Sequence, residues 1–183
     1  MKFYIKILCL SFLILTIGGC KENNNNASSD SSGESGVAQY NVPYTSKMTK
    51  ADKKKYFDAN DNVVYEVKYK PDGFKLRTPS STLLWKVKLY DQKIKISDNE
   101  ENQNPYEIKI MGSNEAKLVK EDRTLARLKY EEDAHGKKLV ITDDSGSKEV
   151  KANYSPSHLV QYISEIPKDQ KDILINELVS KGY

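Results

Sequence analysis

The side chains best suited to chemistry in this 183-residue chain are few and scattered. Carboxylates cluster at Asp58/Asp61, at Asp98-Asn99-Glu100-Glu101 and at Asp143-Asp144. Two carboxylates serve general acid–base work when their surroundings drive their pKa values apart. Here every cluster falls in a polar turn, where Asp and Asn are favoured because they bond nearby backbone. Asp98 to Asn102 offers oxygen donors for calcium but lacks the spacing and the glycine of an EF-hand loop. His135 lies in the turn Asp133-Ala134-His135-Gly136, and His158 in the first turn of an expected helix; both read as surface residues. Cys9 and Cys20 have no metal-site spacing. A Gly-x-Ser-x-Gly elbow and a glycine-rich phosphate loop are both missing from the sequence. The sequence therefore assigns no catalytic residue, no metal ligand and no cofactor, and the expectation is a protein that is not an enzyme.

Cys20 has a different chemistry. Lys2 and Lys6 precede an apolar run from Ile7 to Ile17, which is too short to span a bilayer but suits a secretory h-region. The run ends in Leu15-Thr16-Ile17-Gly18-Gly19-Cys20, which resembles a bacterial lipobox. The resemblance implies that residues 1–19 are a lipoprotein signal peptide and that Cys20 is lipidated and becomes the first mature residue. Several acyl chains on one residue anchor stably, each buried methylene contributing about 0.8 kcal/mol. Lys21 follows where Asp retains lipoproteins at the inner membrane in enterobacteria-like sorting, so the resemblance favours an outer-membrane anchor in the cell envelope. Without residues 1–19 the chain has 27 basic and 26 acidic residues, and neither this balance nor the full chain's net charge of +3 suits a nucleic-acid binder carried by bulk charge.

Residues 20–55 read as the lipidated cysteine and a disordered tether. Lys21 to Gly36 contains one apolar residue, Ala27, and cannot bury enough surface to offset its ordering entropy. Sixteen such residues reach about 20–25 Å. Tyr40, Val42 and Tyr44 alternate as an edge strand would, and the lysines between Lys47 and Lys55 read as solvated linker.

Residues 56–183 form the expected folded domain, and a repeat organises it. Val67, Val87, Ile108, Leu128 and Val150 are the central apolar residues of five units spaced 20, 21, 20 and 22 apart. Each unit is a polar turn followed by period-two alternation. Tyr65, Val67 and Tyr69 share a face opposite Glu66 and Lys68; Trp85, Val87 and Leu89 lie opposite Lys86 and Lys88. Shorter strands are expected at Phe74–Arg77, Lys93–Ile96, Ala116–Val119 and Leu139–Thr142. The fold class is mainly β: an antiparallel meander or barrel of about nine or ten strands with one or two C-terminal α-helices. Ser155 and Pro156 open the first helix, Pro167 separates the second, and Ile173, Leu174, Leu178 and Val179 give the second an apolar face. The mixed charges of Lys168, Asp169, Lys171 and Asp172 favour packing on the sheet over contact with a membrane.

Repeated hairpins closed by a terminal helix, with Phe57-Asp58, Tyr65-Glu66-Val67 and Leu84-Trp85-Lys86-Val87 carrying the likeness, resemble the tubby C-terminal or LURP-one type of β-barrel. The resemblance implies strands wrapped around a central helix and a membrane-associated binding module; it carries over no ligand contact. The residues themselves offer a surface. Lys86, Lys88, Lys109 and Lys129 occupy matching outward positions and form the candidate site for an anionic lipid or glycan. Two expectations stand: a lipid-anchored, non-enzymatic binding module, or a structural surface lipoprotein without a small ligand. An envelope hydrolase would need two converging carboxylates in a pocket.

Overall fold

The computed structural model describes residues 40, 42–134 and 136–183; the expected signal peptide at 1–19, Cys20 and His135 lie outside them. The repeat becomes a run of hairpins. Strands β3 (Val63–Lys70), β5 (Leu83–Tyr90), β7 (Tyr106–Ile110), β9 (Arg123–Asp133) and β11 (Gly146–Val150), one from each repeat unit, alternate with β4 (Gly73–Arg77), β6 (Lys93–Ser97), β8 (Glu115–Lys120) and β10 (Gly136–Asp143). All pairs are antiparallel and the spatial order follows the sequence from β1 to β11. The two end strands do not pair with each other, so the sheet is an open meander and not a closed barrel.

The sheet begins earlier than the boundary expected at residue 56. β1 (Thr45–Lys50) and β2 (Lys53–Phe57) form a hairpin within the stretch assigned to the tether, bringing the total to eleven strands. Lysines on both faces of β2 hide its period. Lys53 and Lys55 turn outward to Glu66, while Lys54 crosses to Glu177 on the inner side. β1 is exposed along its whole length, and Lys47 and Lys50 guard it as an edge. Tyr40, Val42 and Tyr44 lie outside any strand and pack on the core.

The repeat is visible in the backbone bonds at both ends of the sheet. At one end, the N–H groups of Tyr69, Leu89, Ile110 and Tyr130 donate to the carbonyls of Asp52, Asp72, Gln92 and Asn114 at 2.8, 2.8, 2.9 and 3.1 Å. Strands β3, β5, β7 and β9 thus each tie back to the turn of the preceding hairpin. At the other end, three loops share one design. The side chains of Asp58, Thr78 and Asn99 accept the N–H four residues on, and Asp61, Ser81 and Asn102 adopt φ of 60°, 69° and 58°. The register shifts where β3, β5 and β9 begin, leaving Val64, Leu84 and Leu125 as the extra bulged residues. Bulges sharpen the right-handed twist and bend the strand, which suits a sheet that folds over what it covers.

What it covers is the C-terminus. Inward residues of the strands, among them Val67, Phe74, Val87, Ile94, Ile108, Leu118 and Leu128, are fully or almost fully buried. They share a core with a 3₁₀ helix (Pro156–Tyr162) and α1 (Lys168–Val179). Ser155 caps the 3₁₀ helix by accepting from Ser157 N–H, with Pro156 at the first position. This first helix is therefore a 3₁₀ turn and not α; it lies against β7–β9. Trp85 is buried, as its inward position requires.

Candidate functional site

Two polar arrangements stand out, one inside the sheet and one outside. Inside, Gln170, Asp172 and Glu177 of α1 are buried and Asp169 is half-buried. Glu177 is wholly buried and accepts from Tyr56 Oη at 2.6 Å, Lys54 Nζ at 2.7 Å and Tyr69 Oη at 2.7 Å. Asp169 accepts from Tyr44 at 2.9 Å and Tyr65 at 2.8 Å. Trp85 Nε1 donates to Gln170 at 2.7 Å, and Gln161 and Lys168 both donate to Asp172. Burial pushes the Tyr44 hydroxyl up to about 12, with Asp169 adding to the effect. Burial works to raise Asp169, but the hydrogen bonds from Tyr65 and Tyr44 outweigh it and hold that carboxyl below its ordinary range. Asp169 and Glu177 thus accept from phenols, and Asp172 from an amide and an ammonium. The arrangement fastens a helix to a sheet.

His158 belongs to this interior, against its expected place on the surface. It is 3% exposed. Its Nε2 lies 2.9 Å from the carbonyl of Asn153, so Nε2 donates; Tyr40 Oη, 2.6 Å from Nδ1, donates to the ring in turn. Burial pulls the histidine below 6.5, only partly offset by the bond to Asn153. A histidine lowered on folding contributes stability that is complete above its unfolded value and is lost as pH falls toward its folded value. The melting temperature should therefore fall as pH drops below about 6.5, and His158→Gln should flatten that part of the profile. An unchanged slope in the variant would remove His158 from the account.

The acidic clusters are loop caps. Asp58 accepts from Asn60 and Asn62 N–H, Asp143 accepts from Ser145 N–H, Asp144 pairs with Arg123, and Glu100 pairs with Lys75 and Arg77. Among the described residues no group of three or more His, Cys, Asp or Glu is placed to hold a metal ion. Among the described carboxylates, every resolved pKa shift is downward, which suits ion pairing and capping rather than proton donation.

The outer face is basic, and the register arranges it in rows. Lys53 faces Lys68, Lys68 faces Lys75 and Lys75 faces Lys86, a line of four lysines across β2–β5. Lys93, Lys109, Lys117 and Arg127 make a second line across β6–β9. Like charges directly opposite one another oppose strand pairing. Acids between the rows offset part of that cost. Glu66 takes Lys53 at 2.8 Å and Lys55 at 3.1 Å; Glu107 takes Lys95 at 3.1 Å and Lys93 at 3.4 Å; Glu115 takes Arg127 at 2.7 Å. Burial works to raise Glu66, yet Lys53 and Lys55 hold it below its ordinary range. Lys68 and Lys117 have no acidic partner among the described residues, so the rows keep an excess of positive charge.

The four lysines picked out by the repeat all lie on this face, but not as one isolated patch. Lys88 pairs with Asp72 at 3.1 Å, Lys109 with Glu107 at 3.7 Å and Lys129 with Glu131 at 3.3 Å, and Lys86 donates to the Glu100 carbonyl. Repeat-equivalent positions run diagonally across the sheet. Lys68 reaches Lys86 through Lys75, two residues before its equivalent, Lys88. The straight rows therefore recruit Lys53, Lys75, Lys93 and Lys117 from the intervening strands, beyond the four lysines of the candidate site.

The comparisons supply no relative: no family model, no curated protein and no solved structure matches this chain. What the site can do rests on its own geometry.

Proposed function

We propose that this chain is a lipid-tethered, non-enzymatic binding module of the cell envelope, most consistent with an outer-membrane anchor, whose basic outer face meets an anionic lipid or glycan surface. The observation that carries the reading is the pair of cationic rows, Lys53-Lys68-Lys75-Lys86 and Lys93-Lys109-Lys117-Arg127, on a face with too few acids to neutralise them. Among the described residues no helix is long and apolar enough to cross a membrane. In this reading attachment falls to acyl chains on Cys20 and to charge.

One experiment tests both parts. Cys20→Ser should stop incorporation of labelled fatty acid and release the chain from the membrane fraction. In that soluble chain, changing Lys86, Lys88, Lys109 and Lys129 together to Gln should weaken binding to anionic vesicles or glycan about tenfold or more. Stability should change by about 1 kcal/mol or less, since exposed ion pairs contribute little. Unchanged binding in the four-lysine variant would move the site off these residues. A folded chain that binds no anionic envelope component would leave the structural lipoprotein as the better reading.

A further inference from the structure

One concavity of the outer face is walled almost wholly by cations. A groove of about 220 Å³ lies over β2–β4, with Lys53, Lys68, Lys70, Lys75 and Arg77 on its walls and Glu66 and Ser81 completing it. Glu66 is 6% exposed and is engaged by Lys53 and Lys55. Lys68 and Lys70 have no acidic partner among the described residues. One arm of the Arg77 guanidinium is fixed on the Ser81 carbonyl at 2.6 Å, and the other reaches Glu100.

That other arm and the Lys75 ammonium are bridged by the two carboxylate oxygens of Glu100, from the loop after β6. The Glu100 side chain is 43% exposed against 20% for each cation it bridges, so it enters from solvent onto a better-buried pair. It occupies two adjacent cationic positions as two oxygens of a tetrahedral oxyanion would. With Glu100 displaced, the five cations face Glu66 alone, a surplus that accommodates a doubly charged ligand.

We propose that this groove takes the terminal phosphomonoester of a membrane lipid headgroup, displacing Glu100 from Lys75 and Arg77. The proposal rests on the reading of the outer face as the side that meets the bilayer. A phosphomonoester carries about −1.5 to −2 near neutrality and three strong acceptor oxygens. A guanidinium fork with ammonium groups beside it matches both. A phosphodiester brings one charge and two free oxygens, and leaves Lys68 or Lys70 unused. A lipid source is favoured over free phosphate because the lipidated Cys20 and its linker would hold the domain within about 20–25 Å of headgroups.

The test uses the mature chain with Cys20→Ser and phosphatidylcholine vesicles that contain either phosphatidic acid or phosphatidylglycerol, matched in surface potential. Binding to phosphatidic acid should be tighter by about tenfold, the worth of one charge-assisted hydrogen bond. Lys68→Gln with Lys70→Gln should bring the two lipids to parity. Lys109→Gln with Lys117→Gln, away from the groove, should weaken both lipids alike and keep their ratio. Glu100→Gln should strengthen the phosphatidic acid arm. Equal affinity for the two lipids in the unchanged chain, or a ratio untouched by the Lys68 and Lys70 changes, would overturn the groove while leaving a basic face that binds by charge alone. Failure to bind either vesicle would overturn the groove and the lipid form of the outer-face reading, leaving only an anionic glycan as its ligand. Saturable binding of inorganic phosphate with no vesicle binding would overturn the lipid source.

Discussion

Glu177→Ala is expected to cost about 3–5 kcal/mol of folding stability, the range for breaking a buried charge away from its partners. The carboxylate is wholly buried, and its loss strands Tyr56 Oη, Tyr69 Oη and Lys54 Nζ, which approach it at 2.6–2.7 Å. Tyr56 and Tyr69 come from β2 and β3, so one side chain of α1 ties two strands to the helix. Removing both sides of a hydrogen bond is far less costly than removing one. Glu177→Met combined with Tyr56→Phe and Tyr69→Phe should therefore recover most of the loss, with Lys54 free to reach solvent. Urea denaturation of the three chains measures both effects. A loss below about 1 kcal/mol in Glu177→Ala would mean that apolar packing alone seats the helix.

Gly73→Ala should be similarly damaging, by about 3 kcal/mol or more. A Cβ there would sit 2.0 Å from the Val87 carbonyl oxygen and 2.9 Å from its carbon, and the backbone holds φ of 152°. Both obstacles are backbone atoms of β5, which pairs with β4 on that side, so relief means parting two strands. Gly146 is the control. Its φ is 126° but nothing lies within 4 Å of an added Cβ, so Gly146→Ala should cost only the local conformational strain, about 1 kcal/mol. Equal losses at the two sites would show that β4 and β5 are not as close as described.

The hairpin meander was legible in the sequence because β3, β5, β7 and β9 repeat the same alternation, and Val67, Val87, Ile108 and Leu128 all fall inside as their spacing requires, whereas the fifth central residue, Val150, ends the otherwise exposed β11 and is only partly buried. The first hairpin was not, because Lys53, Lys54 and Lys55 erase the alternation; only the pairing of two of them outward and one inward reveals β2. The bulges left a trace in the doublets Val63-Val64 and Leu83-Leu84, where an apolar residue stands in an outward phase. His158 read as a surface residue because its partner Tyr40 lies 118 residues away in sequence; the phenols that meet Asp169 and Glu177 lie 104 to 125 residues away, and a hydropathy pattern counts them as core. The basic face was legible as lysines at outward positions. Its rows and its groove depend on register between neighbouring strands, which a period along one strand does not contain.

The central claim is that the outer face of this sheet binds an anionic surface through charge, and a salt titration tests it most directly. The mature chain with Cys20→Ser is mixed with anionic and with neutral vesicles, and the bound fraction is followed by flotation as ionic strength rises. Exposed charges are screened over about 8 Å at physiological salt. The account predicts strong binding to anionic vesicles at low salt, a steep fall through physiological ionic strength, and no binding to neutral vesicles. Binding that is indifferent to salt, equal on neutral vesicles, or missing at the lowest ionic strength would contradict it.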